Sequence, residues 1–93
     1  MATAVQAVWL MPSDIKAATL AEAHEALLRC RPSYDAEPQV WAAFHRRSAE
    51  VYTNIAKVDV RHRHEAGYWA TAEMRRARDL EDNPPPRREY RTT

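Results

Sequence analysis

The chain has 93 residues, of which 45% are hydrophobic and 29% are charged, and its formal net charge is +1. This length corresponds to one domain with a core just large enough to fold alone, and the composition is globular. A charge so close to zero provides no strong attraction to nucleic acid or anionic lipid. Gly67 is the single glycine, which excludes glycine-rich phosphate loops and disfavours a turn-rich β protein.

Two features of the sequence bear on the compartment. Cys30 is the single cysteine, so no disulfide can form within the chain, and a reducing compartment fits best. The apolar stretch 2–11 is too short to cross a bilayer, and no basic side chain precedes Lys16, as a signal peptide would require. We therefore expect a cytoplasmic protein without membrane association.

The first predicted helix runs from about Thr19 to Arg31. Thr19 followed by Glu22 has the spacing of a capping box, in which two side chains satisfy free N–H groups of the first turn. Pro32 ends the helix, because proline disfavours the helical conformation of the residue before it.

Two further helices follow a polar connector. Pro38 suits the first position of a helix, and apolar residues recur at three- and four-residue intervals from there to about Lys57. The pattern shifts phase at Asp59, whose side chain can cap a third helix that ends at about Glu81. One continuous helix is the alternative, but at about 43 residues it has no heptad seam to stabilise it, so a break is favoured.

Both ends of the chain differ in composition from its helical part. Residues 1–18 are largely apolar but interrupted by Pro12, and we expect a flexible arm or a short packing segment there. Residues 83–93 contain three consecutive prolines and a polar end, which predicts an extended, disordered tail. The sequence thus predicts an all-α domain over residues 19–82, either a three-helix bundle or a helical hairpin plus one helix.

Three histidines lie on the apolar stripes of three different predicted helices, when positions are placed about 100° apart. They are His24, His45 and His62, and Glu73 lies on the same stripe as His62. Polar groups at packed positions need hydrogen-bond partners. One interpretation is a metal site, because three imidazoles and a carboxylate form the tetrahedral set that zinc prefers.

Helical geometry disfavours the metal interpretation. His62 and Glu73 are 11 residues apart, which is about 16 Å along one helix, so one ion cannot bind both. We favour the alternative that His24, His45 and His62 are each partly buried at a helix interface with a hydrogen-bond partner. Glu73 then pairs with His45 or with an arginine, and no nucleophile or glycine-lined pocket accompanies it to support a role as a general base.

A second face of the third predicted helix combines an aromatic residue with arginines. Tyr68 projects away from the apolar stripe, close to Arg61 and Arg75, and aromatic and arginine side chains are enriched at protein interfaces. We expect these three residues to contact a protein partner or a second copy of the chain. A solvated face with i,i+4 ion pairs is the alternative. The chain's arginine pairs alternate with acidic residues, so no uncompensated basic stripe predicts nucleic-acid binding.

A series of short motifs runs through the helical part of the chain: residues 23–27, Trp41, 45–49, Tyr52, 55–56, Asp59, 64–66 and 68–70. Together these motifs resemble those of a family of short helical proteins from actinobacteria. The resemblance covers about residues 19–80 of the chain. The family is uncharacterised, so the resemblance implies a small helical protein and implies no substrate, cofactor or catalytic residue.

The preferred interpretation of the sequence is a non-enzymatic interaction or regulatory module without a cofactor. It would bind protein through the surface of the second and third helices, where Tyr68, Arg61 and Arg75 lie. A zinc- or other metal-binding domain that uses the three stripe histidines is the alternative.

Overall fold

A computed structural model describes residues 16–83 of the chain. Its elements are α1 (Leu20–Arg29), α2 (Pro38–Val58), a 3-10 turn (Val60–His62) and α3 (Arg63–Asp82). These residues form helices and no strand, which confirms the predicted all-α class. None of the helices is both long enough and apolar enough to cross a bilayer. The predicted arm up to residue 15 and the predicted tail from residue 84 lie outside the described residues.

The first helix begins where the capping box predicts it. The Oγ1 atom of Thr19 accepts a hydrogen bond from the N–H of Glu22 at 3.2 Å. The helix ends at Arg29 rather than at Arg31. Because Pro32 disfavours a helical conformation in the residue before it, the chain leaves the helix before reaching the predicted end.

The break predicted at Asp59 is present, but the side chain of Asp59 caps a different helix. α2 ends at Val58, and the 3-10 turn separates it from α3. The Oδ2 atom of Asp59 accepts hydrogen bonds from the N–H of Leu20 and from Nδ1 of His62, both at 2.9 Å, and makes no capping bond to its own turn. The predicted cap of the third helix is therefore wrong, because the turn brings Asp59 to the start of α1, 39 residues earlier.

The three helices form an antiparallel hairpin with one helix packed against it. His45 of α2 meets Glu73 of α3, and Tyr52 stacks on Trp69, so residue numbers fall along α3 as they rise along α2. His24 of α1 meets Tyr52, while the start of α1 meets the end of α2. α1 is therefore antiparallel to α2 and parallel to α3, which is the hairpin-plus-one-helix arrangement.

Apolar side chains of all three helices form the core. Its buried members are Leu20, Ala23, Leu27, Phe44, Val51, Tyr52, Ile55 and Ala66. Trp41 and Trp69 pack against this cluster and remain partly exposed. Since α3 contributes small side chains such as Ala66 and Ala77, α2 can approach it closely, and the larger side chains of α2 fill the space between the helices.

We expect Asp59→Ala to lower the Tm by several degrees, because it removes the acceptor for the N–H of Leu20 at the start of α1. Asp79→Ala changes an exposed side chain and is the matched control, with an expected change within about one degree. Thermal unfolding followed by circular dichroism measures both. Equal Tm values for Asp59→Ala and the wild type would show that this bond does not anchor α1.

The same bond gives a pH dependence of known sign. The hydrogen bond from Leu20, followed by that from His62, lowers the pKa of Asp59 from its ordinary value. Its contribution to stability is therefore present above the ordinary aspartate pKa near 4 and is lost as the pH falls through the lowered folded value. Asp59→Ala should thus lie closer to the wild type in strong acid than at neutral pH.

Candidate binding site

An open cleft lies between α1 and α3, with α2 as its floor. Its volume is about 640 Å³, which is within the range of small-ligand sites. The lining side chains are His24, Leu27, Leu28, Arg31, Phe44, His45, Ser48, Tyr52, Trp69, Glu73 and Arg76. Two of the three histidines predicted from the sequence therefore share one cleft with Glu73.

Glu73 is the acidic residue of the cleft, and only 8% of its surface is exposed. Its Oε1 atom accepts a hydrogen bond from Nδ1 of His45 at 2.6 Å, and its Oε2 atom accepts one from Nη1 of Arg76 at 2.8 Å. The predicted pairing with His45 or an arginine is confirmed, and both partners are present. Each carboxylate oxygen thus has its own charge-assisted or imidazole hydrogen bond, which is what a buried carboxylate requires.

His24 is fixed by a second hydrogen bond on the floor of the cleft. Its Nδ1 atom lies 2.7 Å from the hydroxyl of Tyr52, and its ring packs edge-on against Tyr52 and Trp69 at 5.3 and 5.2 Å between centroids. Burial, and then the charge of Glu73, raises the pKa of Tyr52 to about 12, so the hydroxyl keeps its proton. Among residues 16–83 the hydroxyl has no other hydrogen-bond partner, so donation to Nδ1 of His24 satisfies both groups, and on this basis we assign the ring proton of His24 to Nε2.

The Nε2 atoms of His24 and His45 take no part in these bonds, and both rings line the cleft. Both rings use Nδ1 for the bonds just described, and neither Nε2 atom bonds to any of residues 16–83. Within that range no buried side-chain nitrogen or oxygen lacks a hydrogen-bond partner. The expected partial burial with a hydrogen-bond partner is confirmed for both histidines.

His62 lies outside the cleft. Its side chain is 52% exposed and bonds to Asp59, so the predicted partner type is present but the predicted burial is wrong. His62 is the last residue of the 3-10 turn, in which each residue advances by about 120° rather than 100°. The apolar stripe of α3 therefore does not continue to His62, and the prediction that placed His62 on that stripe is wrong. Among residues 16–83 no three His, Cys, Asp or Glu side chains are placed to hold a metal ion, so the histidine set predicted as metal ligands does not converge.

The predicted contact residues lie on the outer side of the α3 region. Tyr68 is 66% exposed, and its ring packs against the Trp69 ring in a T-shaped arrangement with 5.5 Å between the ring centroids. Arg61 and Arg75 are exposed as well. Trp69 lines the cleft, whereas Tyr68 is not among the lining residues and contacts the cleft wall only through the Trp69 ring. Whether these three residues contact a partner stays a prediction.

Two cleft residues, Arg31 and Arg76, were missed by the sequence reasoning. Arg76 follows Glu73 by three residues, a spacing at which helical side chains pair, and this signal could have identified it. Arg31 lies beyond the end of α1, where helical periodicity no longer applies. Its guanidinium lies 5.4 Å from the ring centroid of Trp41, a contact that depends on how α1 packs against α2.

The cleft lacks a hydroxyl nucleophile bonded to its imidazole–carboxylate pair. The hydroxyl of Ser48 donates to the carbonyl of Phe44 at 2.8 Å, although Ser48 follows His45 by only three residues on α2. Activation of a serine by histidine requires a hydrogen bond between the two. In this arrangement His45 does not activate the Ser48 hydroxyl.

Comparisons of the chain with protein-family models, with curated proteins and with solved structures found no match. The resemblance to the actinobacterial family therefore stays a prediction. Function must be inferred from the all-α fold, in which one short helix packs against a hairpin, and from the cleft between them.

We expect Glu73→Ala to lower the free energy of unfolding by about 3 kcal/mol, because it leaves His45 and Arg76 without their buried acceptor. Glu73→Gln keeps an acceptor and a similar volume and should cost less. Glu50→Ala, at an exposed position of α2, is the control in urea denaturation. A change below about 0.5 kcal/mol for Glu73→Ala, the range of ordinary surface changes, would contradict the structural role.

Tyr52 should make stability fall steeply at alkaline pH. Its folded pKa is raised to about 12, so the neutral hydroxyl stabilises the fold fully below the ordinary tyrosine pKa near 10, and this contribution is lost between the two values. Chemical denaturation at a series of pH values should show a shallower alkaline decline for Tyr52→Phe than for the wild type. At neutral pH we expect Tyr52→Phe to be about 1 kcal/mol less stable, for one lost hydrogen bond.

The control for the alkaline experiment is Tyr34→Phe, at a tyrosine that is 81% exposed. It should decline with pH as the wild type does. Parallel alkaline declines for the wild type and Tyr52→Phe would show that Tyr52 is not the group responsible.

Proposed function

We propose that the protein is a non-enzymatic interaction module that binds an amphipathic helix of a partner protein in the cleft between α1 and α3. The observation that carries the proposal is the open cleft of about 640 Å³ between two parallel helices. A helix placed between these walls would lie over α2 as the fourth helix of a bundle, and helical peptides commonly bind in grooves of this kind.

Exposed apolar side chains beside the cleft support a helical occupant. Leu28 on the α1 side is 63% exposed, and Tyr68 on the α3 side is 66% exposed. Phe44 contributes the apolar floor between the two walls. A partner helix that fills the cleft would bury Leu28, and one that also extends over Trp69 would bury Tyr68. Burial of aromatic and large aliphatic groups supplies most of the affinity of such interfaces.

The charge of the cleft supports an acidic partner. Arg31 and Arg76 line opposite walls, whereas Glu73 is already paired with His45 and Arg76. The lining therefore has an excess of positive charge. Carboxylates on the flanks of the docked helix would pair with these arginines, which would fix orientation and speed association.

We also propose a cytoplasmic location. The single cysteine, Cys30, agrees with a reducing compartment.

Arg61, the third predicted contact residue, lies in the 3-10 turn before α3, where it could extend the contact surface beyond Tyr68.

Selection from a display library of helical peptides tests the proposal even while the partner is unidentified. We expect full-length protein to enrich peptides with apolar residues at i, i+3 or i+4, and i+7, flanked by acidic residues. Their affinity should fall at least about tenfold for Leu28→Arg and for the double variant Tyr68→Ala/Arg75→Ala. Tyr34→Ala removes a ring of similar exposure outside the cleft and should bind as the wild type does.

Circular dichroism and the Tm should be unchanged in these surface variants, so that a loss of binding is not a loss of fold. Peptides that bind Leu28→Arg as tightly as the wild type, or no enrichment at all, would overturn the proposal. Sedimentation as a dimer with Leu28 buried would assign the cleft to a second copy of the chain. Enrichment only after removal of residues 1–15 would assign it to the chain's own start, and either assignment contradicts a partner helix as the occupant.

A further inference from the structure

We propose that the cleft contains a carboxylate-binding subsite formed by Nε2–H of His24 and the guanidinium of Arg76, which binds an acidic side chain of the docked helix. This inference rests on the proposed function and adds to it the chemistry that the partner must provide. Three arguments support the inference: the two hydrogen-bond donors themselves, the contacts that hold each donor in place, and the kind of ligand group that two donors can bind.

The first donor is the Nε2–H group of His24. With the hydroxyl of Tyr52 assigned as the donor to Nδ1 at 2.7 Å, the ring proton is on Nε2, which bonds to none of residues 16–83, and the ring lines the cleft. Edge contacts with Tyr52 and Trp69 hold the ring in position. A donor whose orientation is fixed before binding loses little conformational entropy when it is occupied.

The second donor is the guanidinium of Arg76. Its Nη1 atom donates to Glu73 at 2.8 Å, which holds the group at the cleft, and its side chain is 52% exposed, so further N–H groups are accessible. Arg76 lines the same cleft as His24 and Tyr52, so one ligand group in the cleft can lie between the two donors.

A pair of donors selects a ligand that only accepts hydrogen bonds. A carboxylate satisfies this condition, whereas a carboxamide presents its own NH₂ group as well. A single negative charge also fits better than a phosphate, because Glu73 already occupies part of Arg76 and would repel a second, more highly charged anion. The apolar walls beside the donors, such as Leu27 and Trp69, fit the hydrocarbon part of the same ligand.

The probe for the subsite is 3-phenylpropionate, a carboxylate on an apolar body, and its neutral match is 3-phenylpropanamide. Titrations of the full-length protein, followed by the ¹⁵N signals of the histidine rings, report both affinity and position. We expect the acid to bind about tenfold more tightly than the amide, the factor of one charge-assisted hydrogen bond. The His24 signals should shift, while those of the exposed His64 should not.

Two substitutions separate the donors from the fold. His24→Asn keeps an acceptor for the hydroxyl of Tyr52 but lacks the Nε2–H group, and Arg76→Gln removes the charge. In both variants the ratio of the affinity for the acid to that for the amide should fall to about one, while Arg76→Lys should keep part of the preference for the acid. Arg78→Gln, at an exposed position on α3, is the matched control and should behave as the wild type does. An unchanged far-ultraviolet spectrum establishes that each variant is folded.

Equal affinity of the wild type for acid and amide overturns the subsite, and so does an unchanged preference in both His24→Asn and Arg76→Gln. The selected helical peptides separate this failure from failure of the docking function. Peptides that bind but tolerate replacement of every acidic residue by its amide overturn the subsite and leave docking intact. If the protein binds 3-phenylpropionate more tightly than the amide but binds no helical peptide, the two donors bind a free organic acid, and the docking function is overturned.

Discussion

The buried carboxylate of Glu73 constrains the arrangement of the other cleft residues. Each of its oxygens requires a partner at that depth, and the partners are His45 from α2 and Arg76 from the next turn of α3. A shift of α3 by one residue would rotate Glu73 by about 100° and leave a charge without its partner, which is costly in a packed interface. The register of the hairpin and the direction in which Nε2 of His45 points both follow from this pairing.

The α1 wall of the cleft is a short helix, and two side-chain hydrogen bonds join its first half to α2 and to the residue that follows α2. It has 10 residues against 21 in α2. The carboxylate of Asp59 bonds to the first N–H of α1, and Tyr52 bonds to His24 one turn later. Beyond this point Leu28 remains exposed beside the cleft. The bond from Tyr52 also holds the His24 ring in position at the cleft, and a side chain fixed before binding needs little rearrangement.

Local patterns were sufficient to predict the helices and the break between the second and third. Capping by Thr19, the position of Pro38 and the phase shift at Asp59 depend on residues within one or two turns of each other. The same approach was wrong for His62, because the 3-10 turn changes the angle per residue and moves that side chain to the surface. It was also wrong to predict that Asp59 caps the third helix. A carboxylate can cap any helix N-terminus that the fold brings near it, and here that is the start of α1.

The sequence by itself determined that the protein is all-α and that His24, His45 and Glu73 would need polar partners at packed positions, because periodicity and burial are properties of single helices. Only the tertiary structure decided which residues are those partners. The bonds of His24 to Tyr52 and of His45 to Glu73 each join residues 28 positions apart. Such contacts depend on how whole helices are placed against one another, and no spacing within a single helix encodes that placement.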